Sequence, residues 1–274
     1  MRLFAASAYA LILQTAHPTV GAGVAQYSGF AADPWGRLLR TLDYVSGSIY
    51  GGPQLAGEIG ARVRNVHKTI KGIGADGQRY HALEPDAFAW VHGTLAASVI
   101  DGHAALGRQI TPAEREQFWQ EWKALGRFIG VRDRDLPEDW DGFRLYFDRT
   151  CADVLVAHPT VDEVFATLDA PKGPPIPGFP DWLWNAVRGP VGAPVKLISI
   201  GLLPPLLRER FGLPWTPAHE AAFNGLTRAI RMSGPLLLPQ LREFGPVYVK
   251  VRRKQLHRGD VAARTPPRRE HALV

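Results

Sequence analysis

Cysteine is almost absent from this chain. A single thiol, Cys151, among 274 residues excludes an internal disulfide framework and any cysteine-cluster zinc or iron–sulfur centre. It fits a reducing, cytoplasmic setting. Long apolar runs are lacking too, and none reaches the length of a spanning helix. The opening stretch MRLFAASAYALILQTAHP carries one arginine and a short apolar run that flows into His17 and Pro18 without a break. It reads as a buried first helix rather than a targeting segment. Strand-like alternation is nearly missing, and VYVKV at 247–251 is the one good candidate. No glycine-rich loop follows a strand, so neither a dinucleotide fingerprint nor a P-loop is present. A GxSxG elbow is missing, as are the HxH, HxxxH and HExxH spacings of common metal sites. No carboxylate pairing repeats as in di-iron bundles.

Acidic charge is scarce at one end only. Residues 248–274 hold eight Lys/Arg against two acids, which accounts for the whole formal charge of +6 and leaves residues 1–247 balanced. The basicity therefore belongs to a tail at 248–274, expected to be solvated and disordered, and not to the fold at 1–247. A dedicated nucleic-acid binder carries its basic residues across a folded face, so no nucleic-acid partner is expected.

What is present is helix. Asp33-Pro34 is an N-cap followed by proline at the first helical position, opening a helix to about residue 50. Ile59, Val63, Val66 and Ile70 recur at helical spacing within 54–70. A third segment runs from Glu84 to about Leu106. Thr111-Pro112-Ala113-Glu114 is a capping box that opens a helix to about Phe128. Further helices are read at 139–156, at 160–169, and from Thr216-Pro217 to the break at Gly234-Pro235. The expectation is an all-α single multi-helix domain. Its tryptophan-rich segments, FWQEW at 118–122 and DWLW at 181–184, read as packing or as a membrane-facing edge. LISIGLLPPLL at 197–207 reads as a buried pair of short helices, with contact to a bilayer as the alternative.

The candidate chemistry sits in the first third. Arg37 and Thr41 lie four residues apart on one helical face with Arg40 beside them, among Leu38, Leu39 and Leu42. A partly buried guanidinium cannot shed its charge, so it needs an anion: an ion pair to Asp43 or a distant acid, or a haem propionate. His67 borders the Val63/Ile70 stripe. There it is either a hydrogen-bonded core residue or the neutral imidazole ligand of an iron porphyrin. His17 sits where Pro18 must end or kink the helix. His92, in FAWVHGTL, lies on an apolar helix. Each buried imidazole must find partners, which makes His17 and His92 further pocket candidates. Small residues from Gly21 to Ala25 suit either the wall of a flat slot or plain helix packing.

The ordered blocks LQTAHPTVGAGV, DPWGRLLRT, VRNVHKTIKG, EPDAFAWVHGTL and TPAEREQFWQEWKALGRFIGV resemble the MpaB-like/rubber oxygenase (latex-clearing protein) catalytic domain family, long labelled DUF2236, over roughly residues 10–250. The resemblance implies a globin-like helical core holding b-type haem and an oxygenase that takes O2 and a small apolar substrate. The rubber-cleaving members hold iron with a histidine on the helix after an Arg-x-x-Lys-Thr segment, and His67 matches that histidine. Arg37, Arg40 and Thr41 match the segment, with Arg40 where those members carry lysine. An amine can lose its proton and ligate iron, whereas a guanidinium cannot. Arg40 is therefore expected to leave the sixth position open or water-filled, or to reach a propionate instead. The glutamate those members use as a base is unmatched. On this reading the iron ligand is His67, the catalytic residues are Arg37, Arg40 and Thr41, and Arg37, His17 and His92 help bind the cofactor. The alternatives are a non-haem metal oxidoreductase using the same histidines, or a non-catalytic haem or lipid carrier. Location is expected to be cytoplasmic, with peripheral membrane contact left open and the oligomeric state undetermined.

Overall fold

The computed structural model describes residues 6–28, 33–174, 179–234 and 244–257. Among these, twelve α-helices and one two-stranded sheet make a single all-α domain. The first helices are α1 (Ser7–Thr15), α2 (Pro18–Tyr27), α3 (Pro34–Tyr50) and α4 (Gly52–His67). Then come β1 (Lys71–Ile73), β2 (Arg79–His81), α5 (Pro85–Leu106) and α6 (Pro112–Ile129). The chain continues through α7 (Trp140–Asp153), α8 (Pro159–Asp169), α9 (Asp181–Leu202), α10 (Pro205–Arg210), α11 (Pro217–Ser233) and α12 (Phe244–His257).

The local signals work as expected. Asp33 accepts from the Gly36 amide at the start of α3, and the capping box is formed by Thr111 and Glu114. Gly130 ends α6 at φ 95°, a left-handed conformation that only glycine takes at little cost. One expectation is corrected. VYVKV is helical, not a strand, because it belongs to α12, which docks along α3. The boundary drawn at 247/248 falls inside that helix. A hairpin pairs Lys71–Ile73 with Arg79–His81, antiparallel. Its turn contains Asp76-Gly77, with Gly77 at φ 78°. That pair was a hairpin signal in plain sight.

The core forms around α1 and α5. Tyr9, Ile12 and Leu13 of α1 are fully buried against α5, whose Trp90 donates its indole N–H to the Leu13 carbonyl at 3.0 Å. Trp119 stacks on Phe143 at 4.3 Å, and Trp90 lies 5.5 Å from Phe147. The packing reading of FWQEW therefore holds, whereas Trp182 of DWLW is 71% exposed. LISIGLLPPLL is not a pair of short helices, because its first half is the end of the long α9 and its second half leads into α10; it does bury Ile198, Leu203 and Leu207. Arg210 then caps the end of α7 by donating to the carbonyls of Cys151, Ala152 and Leu155. Burial pushes the Cys151 thiol up to about 12, so it is not a nucleophile at neutral pH. No described helix is long and apolar enough to cross a membrane.

Close glycine contacts on two sides fix the position of α4. Gly47 of α3 and Gly51 just after it receive Ile59 and Leu55 of α4, which closes a tight hairpin of helices. On its other side α4 meets the end of α6, where Gly60 lets the Phe128 carbonyl come close and Arg64 donates to that carbonyl. A Cβ at Gly60 would stand 2.0 Å from the Phe128 oxygen, while a Cβ at Gly57 meets nothing within 4 Å. Gly60→Ala is therefore expected to cost about 1–3 kcal/mol. Gly57→Ala on the same helix should be neutral or stabilising by up to ~1 kcal/mol. Urea midpoints of the two variants check this.

Candidate functional site

The α3–α4 hairpin is closed at Gly51 and ends, one helix length away, with Arg37 on α3 and His67 on α4. The two side chains are close enough for the guanidinium charge to act on the imidazole. His67 Nδ1 lies 2.7 Å from the Val63 carbonyl. A carbonyl only accepts, so Nδ1 carries the proton and Nε2 presents its lone pair. Burial holds the His67 pKa below the ordinary value. The charges of Arg37 and His81 add to this, and the Val63 carbonyl works in the opposite sense. The result is a neutral imidazole with one nitrogen tethered. Phe88 of α5 fixes the ring from the side, edge-on at 5.7 Å.

Arg37 is only partly exposed. It donates to the Ser28 hydroxyl, and burial, helped by the neighbouring Arg40 charge, pulls its pKa down to about 10. Its charge is thus partly withdrawn from solvent.

The other nominated residues divide. Arg40 turns to Asp33 at 3.5 Å, both half-exposed. Thr41 is exposed, and its hydroxyl bonds back to the Arg37 carbonyl at 3.1 Å. The Arg40 and Thr41 side chains are thus engaged with Asp33 and with the Arg37 carbonyl. The sequence put all three on one face, but at the end of a helix one face spans both interior and rim. His17 is the N-cap position of α2 and is buried. Its Nδ1 has no hydrogen-bond partner among the described residues. Burial lowers its pKa to about 4 against the opposing charge of Asp86. His92 lies two turns of α5 beyond Glu84, stacked on Trp122 at 5.2 Å, with Nε2 donating to the Trp122 carbonyl at 2.9 Å. Its Nδ1 is bare, and burial lowers its pKa to about 4. Gly126 opens the slot that receives this ring.

The small residues of α2 are not a slot wall. Gly21 takes the His158 ring of the α8 N-terminus, and Gly23 lies against Ile70 and Tyr80. Both serve packing, because α2 is clamped to the hairpin by Tyr80 to Gln26 (2.6 Å), Gln26 to Ile73 (2.8 Å) and Tyr27 to Lys71 (2.9 Å). Sequence reasoning missed two groups that act on His67, His81 at the end of the hairpin and Phe88, and weighed Glu84 only as a possible oxygen ligand near a helix start. The Glu84 carboxylate accepts from the His81 amide at 2.9 Å and the Thr19 hydroxyl at 3.3 Å. Glu84 followed by Phe88 at i+4 before an apolar run was the available signal.

No group of three or more His, Cys, Asp or Glu among the described residues could hold a metal ion. The surface depression lined by Leu145, Tyr146, Arg149 and Asp153 contains none of the nominated residues.

The profile of the family described as ER-bound oxygenase mpaB/B'/Rubber oxygenase, catalytic domain, matches residues 1–232. The chain belongs to this family. It therefore carries an oxygenase catalytic domain, and the matched span contains every residue nominated above. No curated protein and no solved structure matches the chain.

His17 and His92 make stability pH-dependent with a definite sign. Both are neutral when folded down to about pH 4, whereas free histidine protonates near 6.5. The unfolded chain binds more protons between those values, so stability is fully present above about pH 6.5 and drains away towards pH 4. Each ring should cost on the order of 1–3 kcal/mol across that window. In His92→Gln the unfolding free energy should fall less steeply over the same window. Parallel profiles would mean that the ring protonates freely in the fold.

Proposed function

We propose that this chain is a b-type haem-dependent oxygenase acting on a small apolar or lipid-like molecule, with His67 as the proximal iron ligand. The observation that carries the reading is the His67 imidazole: Nδ1–H is held by the Val63 carbonyl and the ring is kept neutral by burial, so Nε2 is left to ligate. Ligating histidines regularly carry such an outer hydrogen bond, which sets the tautomer and raises basicity. Haem, when bound, supplies the redox and dioxygen chemistry that no side chain here can supply. The chain's own residues hold and orient. Val63 and Phe88 fix the ring of His67. Arg37, half-buried at the same open end of the hairpin, would offer a propionate or another anionic group a charge-assisted hydrogen bond. The apolar nature of the substrate rests on the family alone.

A non-haem centre built on the same histidines is less well supported. It needs several clustered protein donors, and the described residues contain no such cluster. Haem needs only one.

Protein produced with haem precursor should show a Soret band and about one haem per chain by the pyridine haemochrome assay. His67→Ala should lose that stoichiometry while keeping its helical circular dichroism; full retention would remove His67 as ligand. Arg40 offers no ligating nitrogen and is paired with Asp33, so the resting spectrum should be high-spin. A low-spin spectrum with a second nitrogen ligand would contradict the open sixth position.

A further inference from the structure

The balanced charge of residues 1–247 ends abruptly at α12, which carries Lys250, Arg252, Arg253 and Lys254 and no acid along 244–257. The helix is anchored, not loose. The Tyr248 hydroxyl donates to Asp43 at 2.6 Å and lies 3.4 Å from the Leu39 carbonyl, Val249 is buried, and the Tyr50 ring lies over Gly245. Gly245 meets the C-terminal end of α3 and Tyr248 meets its middle, so α12 runs antiparallel to α3. Beyond Tyr248 the helix runs towards the turns of α3 that carry Arg37. The side turned away from α3 holds Val247 and Val251, 37% and 50% exposed, one helical turn apart with exposed Lys250 between them. Lys254 follows one turn after Lys250. On α3, Leu39 and Tyr50 are exposed as well.

We infer that this α3–α12 face docks on an anionic lipid bilayer. The pattern combines two terms that a membrane surface satisfies together. Valines at i and i+4 gain by entering the boundary between headgroups and acyl chains. Lysine stems lie along that boundary while their ammonium groups reach lipid phosphates. Each basic residue near such a surface is worth about 1 kcal/mol. A nucleic acid would reward the cations but leave the valines in water. The helix is already formed on α3, so docking carries little ordering cost. Contact of this kind is peripheral, consistent with the absence of a spanning helix among the described residues. The inference is independent of haem binding.

Sedimentation of the full chain with vesicles tests it. Binding is expected to vesicles of phosphatidylcholine mixed with phosphatidylglycerol and not to phosphatidylcholine alone. It should fall away at about 1 M salt, where the screening length is about 3 Å. Lys250→Glu and the double variant Val247→Ser/Val251→Ser should each weaken partitioning about tenfold with unchanged circular dichroism. Equal binding to both vesicle types, or none to either, overturns the proposal. So does unchanged binding of the valine variant, which would assign the attraction to basic charge alone. Tighter binding to a DNA duplex than to anionic vesicles at the same salt, insensitive to the valine change, also overturns it.

Discussion

Helix α5 is buried on nearly every side, and that constraint organises the molecule. A helix with no solvent face must find an internal partner for each polar group it carries. Its small residues let neighbours come close: Gly93 faces the Phe143 ring, where a Cβ would stand 2.9 Å away. Its larger groups are each claimed by a different element. Trp90 bonds to α1, His92 stacks on α6, and Asp101 accepts from Tyr9 of α1 at 2.9 Å. Burial raises the Asp101 pKa, and the nearby Arg144 opposes that rise. With so many contacts converging, the N-terminal turn of α5 is held in a fixed place. Glu84 and Phe88 then define where the β-hairpin and the end of α4 must lie.

The α3–α4 hairpin is attached to this frame along one edge. Its closed end is packed by glycines, and its open end carries the two groups of greatest chemical interest. A half-buried cation and a half-buried neutral imidazole share that open end. Each loses solvation, and the cation lowers the histidine's proton affinity further. Such tension is common where a protein keeps side chains ready for a ligand. On the proposed reading, His67 would hold the metal of the bound group and Arg37 would meet its carboxylate.

The same helix α3 links the two proposals. One side faces α4 and the candidate site, and another carries α12. An apolar substrate held in a bilayer would then reach the rim of the domain near the turns that contain Arg37, without crossing bulk water.

Much of this architecture was legible in local chemistry. The caps at Asp33 and Thr111, proline at the first position of helix after helix, and the left-handed stop at Gly130 specify where helices begin and end. Each acts within a turn of itself. His67 could likewise be singled out, because an imidazole on the border of an apolar stripe is visible from spacing alone. What spacing could not resolve was the difference between Arg37 and its neighbours Arg40 and Thr41, since the interior and the rim diverge only once α4 is docked. VYVKV shows the same limit. Alternation favours a strand, yet a strand needs an edge to pair with. Tyr248 and Val249 found a helix surface instead, with Tyr248 bonding to Asp43 from the far end of the chain. Local periodicity and capping thus determined the helices, while contacts between distant residues decided which faces turn inward, because burial is a property of the assembled packing and not of any segment within it.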